Sequence, residues 1–599
     1  MQPYVNYDVS IDPDRLELAI KARFRGDFAS GDALVVQTPN WVPGDYSFAL
    51  FARDIFDLKA TDLVTGAALE IRRDALTGFR VLEPGGDVEL SYRVYAFEPD
   101  FGQTCGILNR NYAALLGTWY LFCKDHIGPC HVRYHLPDDW NGRLHHASGA
   151  IAVDETAFDY PSYEILLDTP IVLGDFTLLE RTVGGVPIYA CFVDRAVGFD
   201  ERAEEFADEL AKIAQFFHDM FGGFPFADYT FVFSFNPMNY WGMEHLTSTM
   251  CGLGPDAFTD EDIYQVALRV CAHEMFHAWN VKRLRPTPLL DLEHRLDAGC
   301  FTEGLWVAEG FTRYYEFVTC TNTGTYSVEQ FFSNIIGYHD HVTRLPSYER
   351  VSVVDSSLAA YLNHSPSYSG QANNSLDYYD KGMLIAFGLD GVLRMDSDTN
   401  LNEAFSAFFH RMVSPQNMRQ GELGYTTDQV FDHFESVLPG LGARLAREVC
   451  QPGGLDTLDL LRRLGFTVTT APLSYLGIFF TDDSNTISGT LDEAPAGMCG
   501  LAKGDVIETI NGYPCTRGSL IWAAAQGTFV TLRVLRGHER LDFTFEPTTR
   551  EAVSEMTWSG DALQRSLISN WFGQPFESVD GQAIALDFYK NFHGIDTLV

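Results

Sequence analysis

His273-Glu274-Met275-Phe276-His277 lies inside a helical pattern that runs over residues 260–280. Residues four apart on a helix share a face, so both imidazoles can reach one divalent cation. Glu274 sits one position round, where its carboxylate can hold a water on that cation. Zinc lowers the pKa of such a water to roughly 7, so a carboxylate can take its proton at neutral pH. A catalytic zinc of this kind needs a third protein ligand and an open position. The next helical pattern, over residues 305–320, supplies Trp306-Val307-Ala308-Glu309-Gly310-Phe311-Thr312. Its neighbours are apolar or aromatic, so the Glu309 carboxylate there calls for a cation as partner. Glu303 is a second candidate, but it precedes the apolar run. Thr259 followed by Asp262 reads as a capping-box-like start of the first helix.

Working outward, the 599 residues exceed what one core organises and predict several domains. Residues 1–180 read as β: short alternating runs at 16–24, 33–37, 87–95, 131–136 and 162–167 are separated by turn signals such as Glu83-Pro84-Gly85-Gly86. Helical spacing begins at residues 200–221, and a strand follows at 229–235. Further helices are expected at 327–342, 379–395, 401–412, 427–438 and 441–449. The polar, turn-rich stretch from about 345 to 377, notably 363–374, reads as a surface connection or a flap. Residues 470–548 return to β with Gly-rich turns, and the final fifty residues have no clear pattern.

The formal net charge is −39, which disfavours nucleic acid and anionic membrane as partners and suits a cationic ligand such as a peptide with a free amino terminus. No run of 18 apolar residues predicts a membrane span. The N-terminal residues lack a basic region followed by an apolar stretch, so the expected location is cytoplasmic, or periplasmic or secreted if a leader was trimmed. Eleven scattered cysteines fit free, buried thiols, with Cys123 and Cys130 expected in a hairpin rather than at a second metal.

The longer run His273-Glu274-Met275-Phe276-His277-Ala278-Trp279-Asn280-Val281-Lys282-Arg283-Leu284-Arg285-Pro286, with Glu309-Gly310-Phe311-Thr312 and Trp41-Val42-Pro43-Gly44-Asp45-Tyr46, resembles the glycyl aminopeptidase family of gluzincin metallopeptidases. Those enzymes are thermolysin-like and carry a PDZ domain. Trp241-Gly242-Met243-Glu244-His245 resembles the Gly-x-Met-Glu-Asn exopeptidase signature of related zinc aminopeptidases, with His245 replacing Asn. The match implies that Gly242 and Met243 line the peptide and that Glu244 grips its ammonium, which sets cleavage one residue in. Tyr379-Asp380-Lys381-Gly382 resembles the Tyr-x-Lys-Gly segment of the same enzymes and implies Tyr379, rather than Tyr378, as the oxyanion donor. Support of the zinc ligands is the role expected of Asn280. Leu476-Gly477-Ile478 with Gly504-Asp505-Val506-Ile507-Glu508-Thr509-Ile510-Asn511-Gly512 resembles a PDZ domain that receives peptide C-termini.

The reading is a multidomain α+β chain. Its parts are a β-sandwich-like domain (1–180), a thermolysin-like catalytic domain (181–325), a helical domain (326–465), a PDZ domain (466–548) and an unassigned tail (549–599). The tail ends Asp596-Thr597-Leu598-Val599, itself a PDZ-ligand pattern. The function expected is a zinc aminopeptidase with one Zn2+ per chain, His273, His277 and Glu309 as ligands, Glu274 as base, and Gly or Ala as the residue removed. A zinc endopeptidase with the same site, and a peptide-binding scaffold with an inactive peptidase domain, are the alternatives. An N-terminally blocked peptide separates the first, and activity on a Gly-anilide the second.

Overall fold

The computed structural model describes residues 4–26, 33–98, 102–124, 126–140, 142–236, 241–290, 295–363, 368–414, 424–480 and 484–586. The PDZ-ligand pattern at the C-terminus and part of the 363–374 stretch lie outside them. The chain forms two compact units, residues 1–300 with 409–425, and residues 301–408 with 426–599. Among the described residues no helix is long and apolar enough to cross a membrane.

In the first unit, strands Val5–Asp12, Glu17–Phe24 and Val88–Tyr95 form the middle of an eight-stranded sheet. Their burial alternates residue by residue, as period-2 side-chain placement requires when one face is packed. The register sets Tyr7 opposite Ala22 and Ala22 opposite Leu90, so the apolar sides coincide. Two four-stranded sheets add Leu34, Val36, Val81, Leu115 and Leu173 to the same core. The β-rich expectation for this region is met. The hairpin expected between Cys123 and Cys130 is not. Cys123 ends a strand paired with Ala33–Gln37, whereas Cys130 opens a strand held between Val5–Asp12 and Ala157–Tyr160. Both thiols are buried all the same.

A five-stranded sheet follows in the order Thr177–Val183, Val186–Phe192, Tyr229–Ser234, Ser248–Gly252, Gly242–Glu244. Three central strands are parallel, and the helix Phe199–Phe221 makes the crossover between the first two of them. Tyr229–Ser234 and Ser248–Gly252 are buried almost throughout, as expected of parallel strands covered on both faces. Gly242–Glu244 returns antiparallel as the edge strand. The helix Glu261–Phe276 then begins at Asp260, whose carboxylate accepts from the backbone N–H of Asp262 and Ile263. Asp260 therefore caps this helix in place of Thr259, because a carboxylate one residue later satisfies the same orphan donors and suits the helix dipole. Regular helix ends at Phe276, earlier than the expected residue 280, and the chain turns tightly from His277 to Leu284.

The second unit is helical from Trp306 to Arg463 and β-rich thereafter. Helices Thr312–Thr323, Val328–Thr343 and Tyr378–Asp396 carry its core. Val328–Thr343 opens with a capping box between Ser327 and Gln330. Beyond residue 475, the four-stranded sheet Tyr513–Pro514, Val506–Ile510, Val530–Arg536, Glu539–Phe545 and the pair Ile478–Phe480, Ile487–Thr490 enclose a core of their own. It is built from Leu476, Ile478, Ile507, Leu520, Val530, Leu532 and Val534.

The unpatterned tail does form elements. Thr548–Trp558 pairs with Phe466–Tyr475, and helix Ala562–Phe572 follows. Phe572 packs on Phe331, and Trp571 stacks on Phe387 while donating its indole N–H to the Tyr314 hydroxyl at 3.1 Å. The strand escaped the sequence reading because few of its side chains are buried, so it lacks the alternation that marks a half-buried strand.

Candidate active site

Within the first unit, His273 is half-buried while Glu274 and His277 are buried. The two imidazoles meet edge-to-face with centroids 4.7 Å apart and planes at 78°. The Nδ1 of His277 lies 2.7 Å from the backbone carbonyl of Asn280. A carbonyl can only accept, so Nδ1 carries the proton and Nε2 keeps its lone pair, the tautomer a metal ligand needs. The tight turn after Phe276 creates this bond. Asn280, expected to support the zinc ligands, thus reaches His277 through its main-chain carbonyl. Trp279, fully buried, stacks on Phe221 at 4.8 Å and fixes the turn.

The strand Gly242–Glu244 runs against Glu274. An oxygen of Glu244, an oxygen of Glu274 and a ring nitrogen of His277 all lie within 4.8 Å of one another. Gly242 is required there: a Cβ on it would sit 2.5 Å from both Cγ and Cδ of Glu274 and 2.6 Å from Oε1. Met243 is buried and its carbonyl accepts from the Thr249 hydroxyl at 2.9 Å. Glu244 is only 4% exposed, and its Oε1 has no hydrogen-bond partner among the described residues. A buried carboxylate left in that state is costly without a cation.

The residues after the second histidine brace this strand. Lys282 Nζ donates to Asp168 Oδ1 at 2.7 Å, His245 Nδ1 lies 3.3 Å from the same oxygen, and the Leu246 N–H donates to Oδ2 at 2.7 Å. Burial alone would raise the Asp168 pKa, but the Lys282 charge and the His245 contacts overcome it and hold the carboxyl well below its usual range. Arg283 donates to the carbonyls of Leu246, Ala278 and Pro225. His245, at the position where the related signature carries Asn, is therefore engaged by Asp168. Asp168 itself was not found from sequence, since an aspartate in Leu167-Asp168-Thr169-Pro170 carries no motif.

In the second unit, Glu309 is buried and Glu303 exposed. Glu309 lies in a π-helical turn, Trp306–Phe311, a distortion that recurs at functional sites. The turn presses against helix Tyr378–Asp396 glycine to glycine: a Cβ on Gly310 would lie 2.5 Å from the Cα of Gly382. Tyr378 is buried, and burial first, then the Glu309 charge, push its hydroxyl pKa well up. Tyr379 is half-buried, stacks on Tyr378 at 4.9 Å and has the Arg313 guanidinium 4.9 Å from its ring centre. Arg313 is paired with Asp380. Leu476 and Ile478 are fully buried on either side of Gly477, whose φ is +80°.

The chain matches the model of the M61 glycyl aminopeptidase over residues 266–385 and that of the peptidase M61 N-terminal domain over residues 6–175. No curated protein matches it. Among solved structures, an aminopeptidase N family protein from Idiomarina loihiensis superposes with a TM-score of 0.81 at 21% identity, covering 95% of this chain and 100% of that one. That likeness shows a shared fold. Native yeast LTA4 hydrolase gives a TM-score of 0.45 at 13% identity over 77% of this chain and 70% of that one. A mutant M1 zinc metallopeptidase from Deinococcus radiodurans, bound to a Tyr-Ser-Ala substrate, gives 0.43 at 14% over 76% and 96%. Both its N-terminal β-rich region and its His273–His277 segment are thus matched by models of one family, the M61 glycyl aminopeptidases.

Proposed function

We propose that this chain is a zinc-dependent aminopeptidase that removes a small N-terminal residue, Gly or Ala, from peptides. The observation that carries it is the buried carboxylate of Glu244, at the end of an edge strand and within 4.8 Å of Glu274 and His277. The donor set fits zinc: two imidazoles on one helix face, one of them fixed as the Nδ1–H tautomer. His273, His277 and Glu309 would hold one Zn2+ per chain. When bound, zinc supplies Lewis acidity toward a peptide carbonyl and a water.

The remaining chemistry falls to the chain's own side chains. The backbone of Gly242 and Met243 pairs with an extended peptide, as edge strands do. Glu244 takes the α-ammonium in a charge-assisted bond, so the first peptide bond is the one presented. Glu274 removes a proton from the attacking water and passes it to the leaving amine. Tyr379 donates its hydroxyl to the developing oxyanion. Residues 466–548 form a PDZ domain in which Leu476, Gly477 and Ile478 receive a peptide C-terminus. Its support is the Gly477 turn leading into strand Ile478–Phe480, with Arg517, first residue of helix Arg517–Ala525, 3.6 Å over the Phe480 ring.

The test is a panel of aminoacyl-anilides and an N-acetylated peptide on zinc-loaded wild type, Glu274→Gln and Glu309→Ala. Gly- and Ala-anilides should be hydrolysed by wild type alone, and the blocked peptide by none. Cleavage of the blocked peptide would make the enzyme an endopeptidase.

A further inference from the structure

The loop Trp41-Val42-Pro43-Gly44-Asp45-Tyr46 is rigidly placed. Trp41 is fully buried and donates its indole N–H to the Arg295 carbonyl at 2.7 Å. Asn40 donates through its N–H to Leu296 at 2.7 Å and through its side chain to Asp297 at 2.6 Å. A turn closes from the Asp45 N–H to the Val42 carbonyl at 2.9 Å. Gly44, with φ +119°, lies directly on the Glu244 carboxylate: a Cβ there would be 2.4 Å from Oε1 and 2.7 Å from Oε2. The next residue is a second carboxylate. Oδ1 of Asp45 accepts from the Ser47 N–H at 3.1 Å and the Ser47 hydroxyl at 2.7 Å. Its Oδ2 accepts no hydrogen bond from the described residues. Burial first, opposed by Ser47 but reinforced by the Glu244 charge, pushes the Asp45 carboxyl pKa up to about 6.

Glu244 is thus buried and Asp45, next to the glycine that meets its carboxylate, is half-buried, with no cationic side chain paired to either among the described residues. Lys282 is paired with Asp168, and Arg283 donates to three carbonyls. A primary ammonium satisfies both acids at once, because it brings one positive charge and three donors. We infer that Asp45 is a second substrate-binding carboxylate, which with Glu244 clasps the α-ammonium, and that Gly44 forms the wall behind it. The inference rests on the aminopeptidase reading and extends it. The β domain then supplies part of the specificity for a free amino terminus.

The test compares two hydroxamates that differ only in the amine, glycine hydroxamate and acetohydroxamate, as inhibitors of the zinc-loaded full chain. Wild type should prefer the amine-bearing compound; absence of that preference would sink the aminopeptidase reading itself. In Asp45→Asn, glycine hydroxamate should weaken by about ten- to a hundredfold, the range of a lost charged hydrogen bond. Acetohydroxamate should stay within about twofold. Ser47→Ala, which loosens the loop but keeps the carboxylate, should lose much less. If Asp45→Asn does not fold, Asp45→Ser provides the same comparison. An unchanged glycine hydroxamate affinity would overturn the inference. So would equal weakening of both compounds, which would make Asp45 a structural loop residue.

Discussion

Gly242→Ala should disable turnover while leaving the fold almost intact. The new Cβ would approach Cγ and Cδ of Glu274 to 2.5 Å, against an ordinary carbon contact of about 3.5–4 Å. About 1 Å of movement is therefore needed. The strand is tied by its pairing of Met243 with Met250 and Glu244 with Thr249, so the Glu274 side chain yields. Misplacing a catalytic group by 1 Å costs on the order of 10²-fold, and in the proposed mechanism both proton transfers depend on Glu274. Moving a side-chain end costs stability only about 1 kcal/mol, the mild end of overpacking. The assay is kcat on Gly-anilide with zinc content and thermal midpoint measured on the same preparation. The expected result is a kcat loss of about a hundredfold with zinc retained. Wild-type kcat in the folded variant would refute the placement of Glu274 against this strand.

Gly310→Ala presents the same 2.5 Å approach, but to the backbone Cα of Gly382; two main chains cannot step aside, so the thermal midpoint should fall by the equivalent of about 3 kcal/mol. Asp168→Asn removes the counter-charge of buried Lys282 and should cost about 3–5 kcal/mol, read by denaturant unfolding. Asp45→Asn should do the opposite at neutral pH. The native carboxyl, at about 6 against an ordinary 3.8, binds its proton more tightly than in the unfolded chain, so a penalty grows as pH rises from 4 to 6 and is complete above. The variant should equal wild type near pH 4 and exceed it by about 1–3 kcal/mol at pH 7.5 without ligand. Glu274→Gln should lower kcat by about 10²–10⁴-fold at undiminished zinc content.

Much of the site was legible because its chemistry follows helix geometry: a four-residue spacing puts His273 and His277 on one face wherever the helix goes. The long β strands were legible by their alternation. What escaped was set by tertiary packing. Asp168 reaches Lys282 across more than a hundred residues, and no local pattern announces such a pair. Asn280 was legible as a supporting position, but it acts through a carbonyl, which any residue could supply, so the atom was not. Thr548–Trp558 was invisible because its partner strand, rather than a hydrophobic face, specifies it. Asp260 displaced Thr259 as the cap because both residue types serve and sequence alone does not choose the register.

On the proposed function, two imidazoles and one carboxylate bind a single catalytic zinc. Elemental analysis by mass spectrometry after zinc loading and dialysis, on wild type, His277→Ala and Glu309→Ala, tests it most directly. One zinc per wild-type chain is expected, and far less than one in each folded variant. Full zinc in Glu309→Ala, or none in wild type, would contradict it.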